Sequence, residues 1–217
     1  MRFVASVIAG VFAASLFTGG CSCSGKGTGS PIGASEELFP SASGKQPITL
    51  NLGGITLDRA ELQFESKGIN RTLKVINEGV EIEREVYRVD SGGIFLESLG
   101  TGSGDQFDPP LTLIRFPAKK GDSVEWEGTY RYGNIRAVEA KATSTTQTEQ
   151  VSLATGSAEA IRVTVELELS DGSPNPAKRK LEFWFVNGSG PVKRDFGLNQ
   201  TREPRVPAAA DDKPQEG

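Results

Sequence analysis

RVTVELEL, residues 162–169, alternates without interruption. Val163, Val165, Leu167 and Leu169 fall on one side of an extended chain, and Arg162, Thr164, Glu166 and Glu168 on the other. This two-residue period belongs to a half-buried strand, and a helix of 3.6 residues per turn does not produce it. SVEWEGTYRY (123–132) repeats the pattern, with Val124, Trp126, Tyr130 and Tyr132 in one row and Gly128 among them. KLEFWFV (180–186) places Leu181, Phe183 and Phe185 on one face but Trp184 and Val186 on the other, which predicts a strand covered on both sides.

Working outward, five more segments read as strands: AELQF (60–64), TLKVI (72–76), VEIEREVYRV (80–89), GIFLESL (93–99) and LTLIRF (111–116). Between them lie SKG (66–68), NEG (77–79), DSGG (90–93), KKGD (119–122), YGN (132–134), DGS (171–173) and NGSG (187–190). Gly, Asn and Asp tolerate the positive φ of tight hairpin turns, so closely spaced strands with these connections predict an antiparallel sheet. No segment after residue 20 carries a helical stripe. The expected fold class is therefore all-β, a curled antiparallel sheet that either forms a β-sandwich or curls into a barrel or open half-barrel. A curled sheet has an interior, and such interiors hold apolar ligands in some small barrels.

The ends of the chain differ from this middle. MRFVASVIAGVFAASLFTGG (1–20) has Arg2 as its only charge and an apolar run from Phe3 to Phe17, the pattern of a secretory leader. Residues 21–47 are dominated by Gly, Ser and Pro and read as a flexible tether. Residues 201–217 are polar and Pro-rich and read as a disordered tail, which leaves 48–200 as a single β domain. The full chain of 217 residues has a formal net charge of −4, and removing the leader with Arg2 makes it −5. With no long basic run, it lacks the electrostatic footprint of a nucleic-acid binder.

The two cysteines of the chain, Cys21 and Cys23, sit just after the leader. Their C-x-C spacing is too short for the usual zinc pattern, and no histidine exists to complete a mixed site. Adjacent-but-one cysteines also close too small a ring for an ordinary disulfide. The segment LFTGGC (16–21) resembles the lipobox of bacterial lipoproteins, with Gly20 before Cys21, although Thr18 stands where that pattern prefers Leu. The resemblance implies an acylated Cys21 holding the protein to a lipid bilayer in a bacterial cell envelope. Ser22 after the cysteine implies outer-membrane sorting if the host has a second membrane.

A second resemblance lies in LTLIRFPAKKGDSVEWEGTY (111–130), VSLATGSAEAIRVTVELEL (151–169) and KLEFWFVNGSGPVKRDFG (180–197). Phe116, Pro117, Gly121, Asp122 and Trp126, the small residues 155–158, and Trp184, Gly188, Gly190, Val192 and Lys193 together resemble bacterial envelope proteins of the TapB-like kind. What this implies is an all-β envelope domain, and it carries over no catalytic residue.

The absence of histidine removes Ser-His-Asp and Cys-His catalysis and the commonest metal ligand, and no cofactor motif is present. A polysaccharide hydrolase using two facing acids is the enzymatic alternative. Against it, Glu81, Glu83 and Glu85, like Glu166 and Glu168, are expected on solvated outer strand faces. Asp105 and Asp108 lack the dense spacing of a calcium loop. If the sheet encloses a ligand pocket, its lining is expected from Trp126, Tyr130, Tyr132, Phe183, Trp184 and Phe185; packing of these rings as core is the plainer reading. The expected partners are the bilayer and an envelope protein or apolar ligand.

Overall fold

The computed structural model describes residues 35–205, apart from 103, 134–136, 154–155, 171 and 173, with side chains described from Glu37 onward. The leader, Cys21 and Cys23 lie outside these residues. After a single 3-10 turn, Ser35–Leu38, come twelve strands. They are β1 (Gly44–Leu52), β2 (Ile55–Lys67), β3 (Asn70–Asn77), β4 (Val80–Asp90), β5 (Gly93–Leu99) and β6 (Asp105–Arg115). The second half holds β7 (Ser123–Tyr132), β8 (Val138–Leu153), β9 (Gly156–Ser170), β10 (Ala177–Val186), β11 (Gly190–Asp195) and β12 (Asn199–Pro204). Each pairs antiparallel with its sequence neighbour, and β1 pairs with β12, so the sheet closes into an up-and-down barrel.

Closure corrects the expectation where it allowed a sandwich or an open half-barrel. The strands that seal it overlap the stretches whose composition reads as tether and tail, β1 beginning at Gly44 and β12 running to Pro204. Ile48–Leu52 of β1 pair with Gln200–Pro204 of β12, and the start of β1, Gly44–Pro47, pairs with β2. Upstream of β1, Leu38 and Phe39 are fully buried, with Phe39 packed on Phe64, Tyr87 and Phe185 at ring separations of 6.4, 5.3 and 5.9 Å. The Gly188 amide donates to the Glu37 carbonyl at 2.7 Å and fixes this segment as a plug in one end of the barrel.

The interior is packed rather than hollow. At Pro109 and Pro110 strand β6 loses two amide donors, and its ladder with β7 stops after Asp108↔Thr129. The Trp126 indole donates instead to the Pro109 carbonyl at 3.1 Å, and Gly128 leaves room there, since a Cβ would come within 2.6 Å of the Asp108 carbonyl. Beyond this break β6 turns inward against β8 and β9, where Leu111, Thr112, Leu113 and Ile114 are all buried. Ser144 Oγ donates to the Thr112 carbonyl at 2.7 Å, and the loop after β6 hooks onto β8 through Gly121 N to Thr146 O at 2.7 Å. The long β8–β9 hairpin runs past its neighbours, and its far part packs Val151 and Ala160 on Trp184 and Val192. Strand β10 is therefore covered on both faces, with Trp184 outside and Phe183 and Phe185 inside.

Because the strands alternate in direction, the turns at 67–70, 90–93, 115–123, 153–156 and 186–190 share the plugged end with the starts of β1 and the finish of β12. The turns at 52–55, 77–80, 99–105, 132–138, 170–177 and 195–199 ring the opposite end, the mouth. Phe39→Ala is expected to cost about 3–5 kcal/mol, the range for emptying a buried phenylalanine site. A denaturant melt reads this directly, and an unchanged midpoint would show that the plug contributes nothing to the core.

Candidate functional site

The mouth opens into a recess of about 430 Å³ whose wall includes Glu83, Asp105, Tyr132, Arg179 and Phe196, with Gly100, Gly104 and Gly133 also among its lining. Arg179 reaches from β10 to Asp105 at the start of β6, Nη1 to Oδ2 3.0 Å, and donates also to the Tyr130 hydroxyl. Asp105 is buried, so it is tied to Arg179 rather than available to a calcium ion, while Asp108 points to solvent. Burial first, and then the neighbouring Asp105 carboxylate, push the Tyr130 phenol upward, so it stays protonated. Phe196 lies edge-on to Phe183 at 5.0 Å and under the guanidinium of Arg194 at 4.9 Å.

Below the recess sits a group of buried charges. Glu83 and Glu85 project inward from β4, and Arg194 of β11 with Gln200 and Arg202 of β12 meet them across the lumen. Arg194 Nη1 lies 2.5 Å from Glu85 Oε1, and Arg202 Nη1 donates to Glu85 Oε2 at 3.2 Å. Arg202 Nη2 donates to Glu83 Oε2 at 3.2 Å, and Gln200 Nε2 to the same oxygen at 3.1 Å. The Tyr87 hydroxyl donates to Glu85 Oε2 at 2.8 Å. The expectation of a solvated glutamate face on β4 is thus overturned for Glu83 and Glu85. The parity signal was present: Glu83 and Glu85 share a row with Tyr87 and Val89, both fully buried, and only a register shift at Ile82 takes Glu81 out of that row to stand opposite Ile76 and pair with Arg84.

Burial pushes the Glu85 carboxyl up, but the charges of Arg202 and Arg194 and the hydrogen bonds from Arg202 and Tyr87 outweigh it and hold it at about 2. Burial and the adjoining carboxylate push Tyr87 well above its ordinary value. Burial disfavours the Arg202 cation, yet Glu85 and Glu83 more than restore it.

The six aromatic residues expected to line a pocket do not converge. Trp126, Tyr130, Phe183 and Phe185 are buried in the interior core, Trp184 is buried in the outer cluster, and Tyr132 stands exposed on the mouth. Trp184 donates its indole proton to Glu149 and lies 4.3 Å below the Lys193 ammonium. A larger hollow of about 540 Å³ runs along the outside of β7–β10. It is walled by exposed cross-strand pairs such as Glu127–Lys141 at 2.8 Å and Lys178–Glu168 at 3.7 Å. Among the described residues no three His, Cys, Asp or Glu side chains gather to hold a metal, and no helix is long and apolar enough to cross a membrane.

The fold and mouth define a closed antiparallel β-barrel with a packed lumen and one polar opening. No protein-family profile matches the chain, and no curated protein matches it. Among solved structures it is similar to a provisionally assigned lipoprotein from Parabacteroides distasonis ATCC 8503, with a TM-score of 0.49 and 12% identity over 80% of this chain and 99% of that one. It is similar also to a provisionally assigned exported protein with a YmcC-like fold from Bacteroides fragilis NCTC 9343, TM-score 0.48, 15% identity, 76% and 97% covered. The third is the hypothetical lipoprotein YmcC from Escherichia coli K12, TM-score 0.43, 11% identity, 80% and 90% covered.

Glu85 is ionised in the folded barrel down to about 2, against 4.5 for an unconstrained glutamate. Its contribution is therefore complete above about 4.5 and is lost as pH falls towards about 2, a span corresponding to roughly 3 kcal/mol. Glu85→Gln is expected to destabilise by about 3–5 kcal/mol at neutral pH, because two arginines lose their buried counter-charge. In urea melts the gap between wild type and variant should narrow as the solution is acidified through that window. A gap independent of pH would refute the ion-pair account.

Proposed function

We propose that this chain is a non-enzymatic lipoprotein of the bacterial envelope, held to the membrane through an acylated Cys21, whose mouth binds a partner or a small ligand. The observation that carries the reading is the placement of the two ends. The chain enters the barrel beside the plug, and Arg205 leaves next to Pro47 at that same end (Arg205 N to Pro47 O, 3.0 Å). A lipid at Cys21 thus lies on the side of the plugged end and leaves the mouth directed away from the bilayer. The lipobox resemblance at 16–21 and the TapB-like resemblance over 111–197 support the same reading, and Ser22 favours the outer membrane in a host that has one.

The chemistry of the mouth favours binding over turnover. A glycosidase acid needs a raised pKa to deliver its proton. Glu85 is held low instead, and Glu83 beside it accepts from Arg202 and Gln200. The packed lumen also argues for a ligand held at the rim rather than an apolar molecule swallowed whole. Acids and arginines are paired there, and Tyr132 and Phe196 offer ring surface, a lining suited to a neutral polar group.

Two measurements test this. Metabolic labelling with palmitate should mark the wild type and the Cys23→Ser variant but not Cys21→Ala; label persisting on Cys21→Ala would overturn the anchor. Native mass spectrometry of protein gently extracted from its own membrane should show a bound mass or partner that Tyr132→Ala, an exposed substitution, loses. Identical spectra for the two would overturn the assignment to the mouth.

A further inference from the structure

Most described cations of this barrel stand opposite a carboxylate; Arg131 near the mouth and Lys193 over Trp184 do not, and the other six without such a partner are gathered at one end. Lys67, Arg71, Arg115, Lys119, Lys120 and Arg205 make no ion pair with any described residue, and all six belong to the plugged end. Arg71 spends its donors on the carbonyls of Gly68 and Asn70 in its own turn. Three neighbouring turns carry most of the charge. The amide of Val89 bonds to Ile69 O at 2.7 Å, and that of Phe116 to Gly92 O at 3.0 Å, so the segments 67–71, 88–92 and 115–122 form one continuous arc of the rim.

Within that arc six cationic side chains, Lys67, Arg71, Arg88, Arg115, Lys119 and Lys120, face two carboxylates, Asp90 and Asp122, which leaves about +4 on a chain whose total is −4. Asp90 lies 3.5 Å from Arg88, and Asp122 accepts from the Lys119 amide at 2.7 Å. Glu37 stands beside the turn at 186–190. At the tip of the first turn, between Lys67 and Arg71, Ile69 is half exposed, at 51%.

We propose that this basic arc is a docking face for an anionic phospholipid surface, the face of the bilayer that holds the Cys21 lipid. This orientation rests on the anchor reading above. Thirteen residues lie between Cys21 and Ser35, and this stretch reaches about 50 Å at most, so the plugged end is the part of the barrel kept nearest the membrane. An acyl anchor and a basic patch acting together hold a protein far more durably than either one. Each lysine or arginine at an anionic surface adds about fivefold to partitioning. Ile69 supplies an apolar side chain at the level of the headgroups, as on other interfacial surfaces.

The test uses residues 21–217 without acyl chains, a form that keeps every described residue. Co-sedimentation with phosphatidylglycerol-containing vesicles is compared with neutral phosphatidylcholine vesicles. Binding is expected only to the anionic vesicles, and it should fall steeply as salt is raised. Lys67→Glu, Lys119→Glu and Lys120→Glu combined should weaken it by about a hundredfold or more. Arg59→Glu, Arg84→Glu and Lys178→Glu combined change net charge equally on the mouth half of the barrel and should leave most of the binding. Equal loss in the two triple variants would reduce the effect to net charge and overturn the arc. Equal binding to both vesicle types, or no loss in the first variant, would overturn it as well. Retention on polyglutamate without vesicle binding would assign the arc to an acidic protein partner and refute the lipid. Because no acyl chain is present, these outcomes are independent of whether Cys21 is labelled in cells.

Discussion

The barrel depends on two arginines that cross its lumen. Arg194 and Arg202 sit on the last two strands, and their partners Glu83 and Glu85 sit on the fourth, on the far side of the core. The seams these arginines support are the short ones: β11 and β12 share three register pairs and β1 and β12 share five, against fifteen between β8 and β9. Taking four charges out of water is costly, and their mutual attraction offsets that cost only with near-complete hydrogen bonding. Tyr87 and Gln200 help supply it. The consequence is specificity of closure: a one-residue slip of β12 would turn Gln200 and Arg202 away from the glutamates.

A second constraint acts on the opposite wall. Pro109 and Pro110 end the β6–β7 ladder, and the freed part of β6 bends over β8 and β9 and fills the lumen. A barrel of this strand number with only apolar lining would enclose open space. Here the inward strand segment, the Leu38–Phe39 plug and the ion-pair group occupy it. The polar recess is what remains, and it opens at the one end that neither the chain's approach nor its exit obstructs. The two ends thereby acquire different chemistry, with a recess holding the paired Asp105 and Arg179 at one and a basic arc at the other.

The sequence made β9, β7 and β10 legible because their alternation pairs large apolar residues with exposed charges, and β10 was readable as covered on both sides from Trp184 and Val186. It misled at β4, where Glu83 and Glu85 occupy the inward row with Tyr87 and Val89, and a register shift at Ile82 breaks the simple alternation. It was silent at β12: NQTREP has no apolar residue facing the core, because its inward residues are Gln200 and Arg202. The aromatic residues suggested a pocket, yet their rings fill the core, and the candidate mouth is built mainly from glycine-rich turns and paired charges that carry no periodic signal.

By itself, then, the sequence determined an all-β chain, its turns, and the exclusion of histidine chemistry, because strand periodicity and turn residues are local properties of the backbone. Closure into a barrel, the inward direction of Glu83 and Glu85, the plug and the gathering of most unpaired cations at one end were decided by tertiary structure. Each depends on groups more than a hundred residues apart, or on strands brought side by side only when the sheet closes, and a charged residue looks the same in sequence whether its counter-ion is water or an arginine across the core.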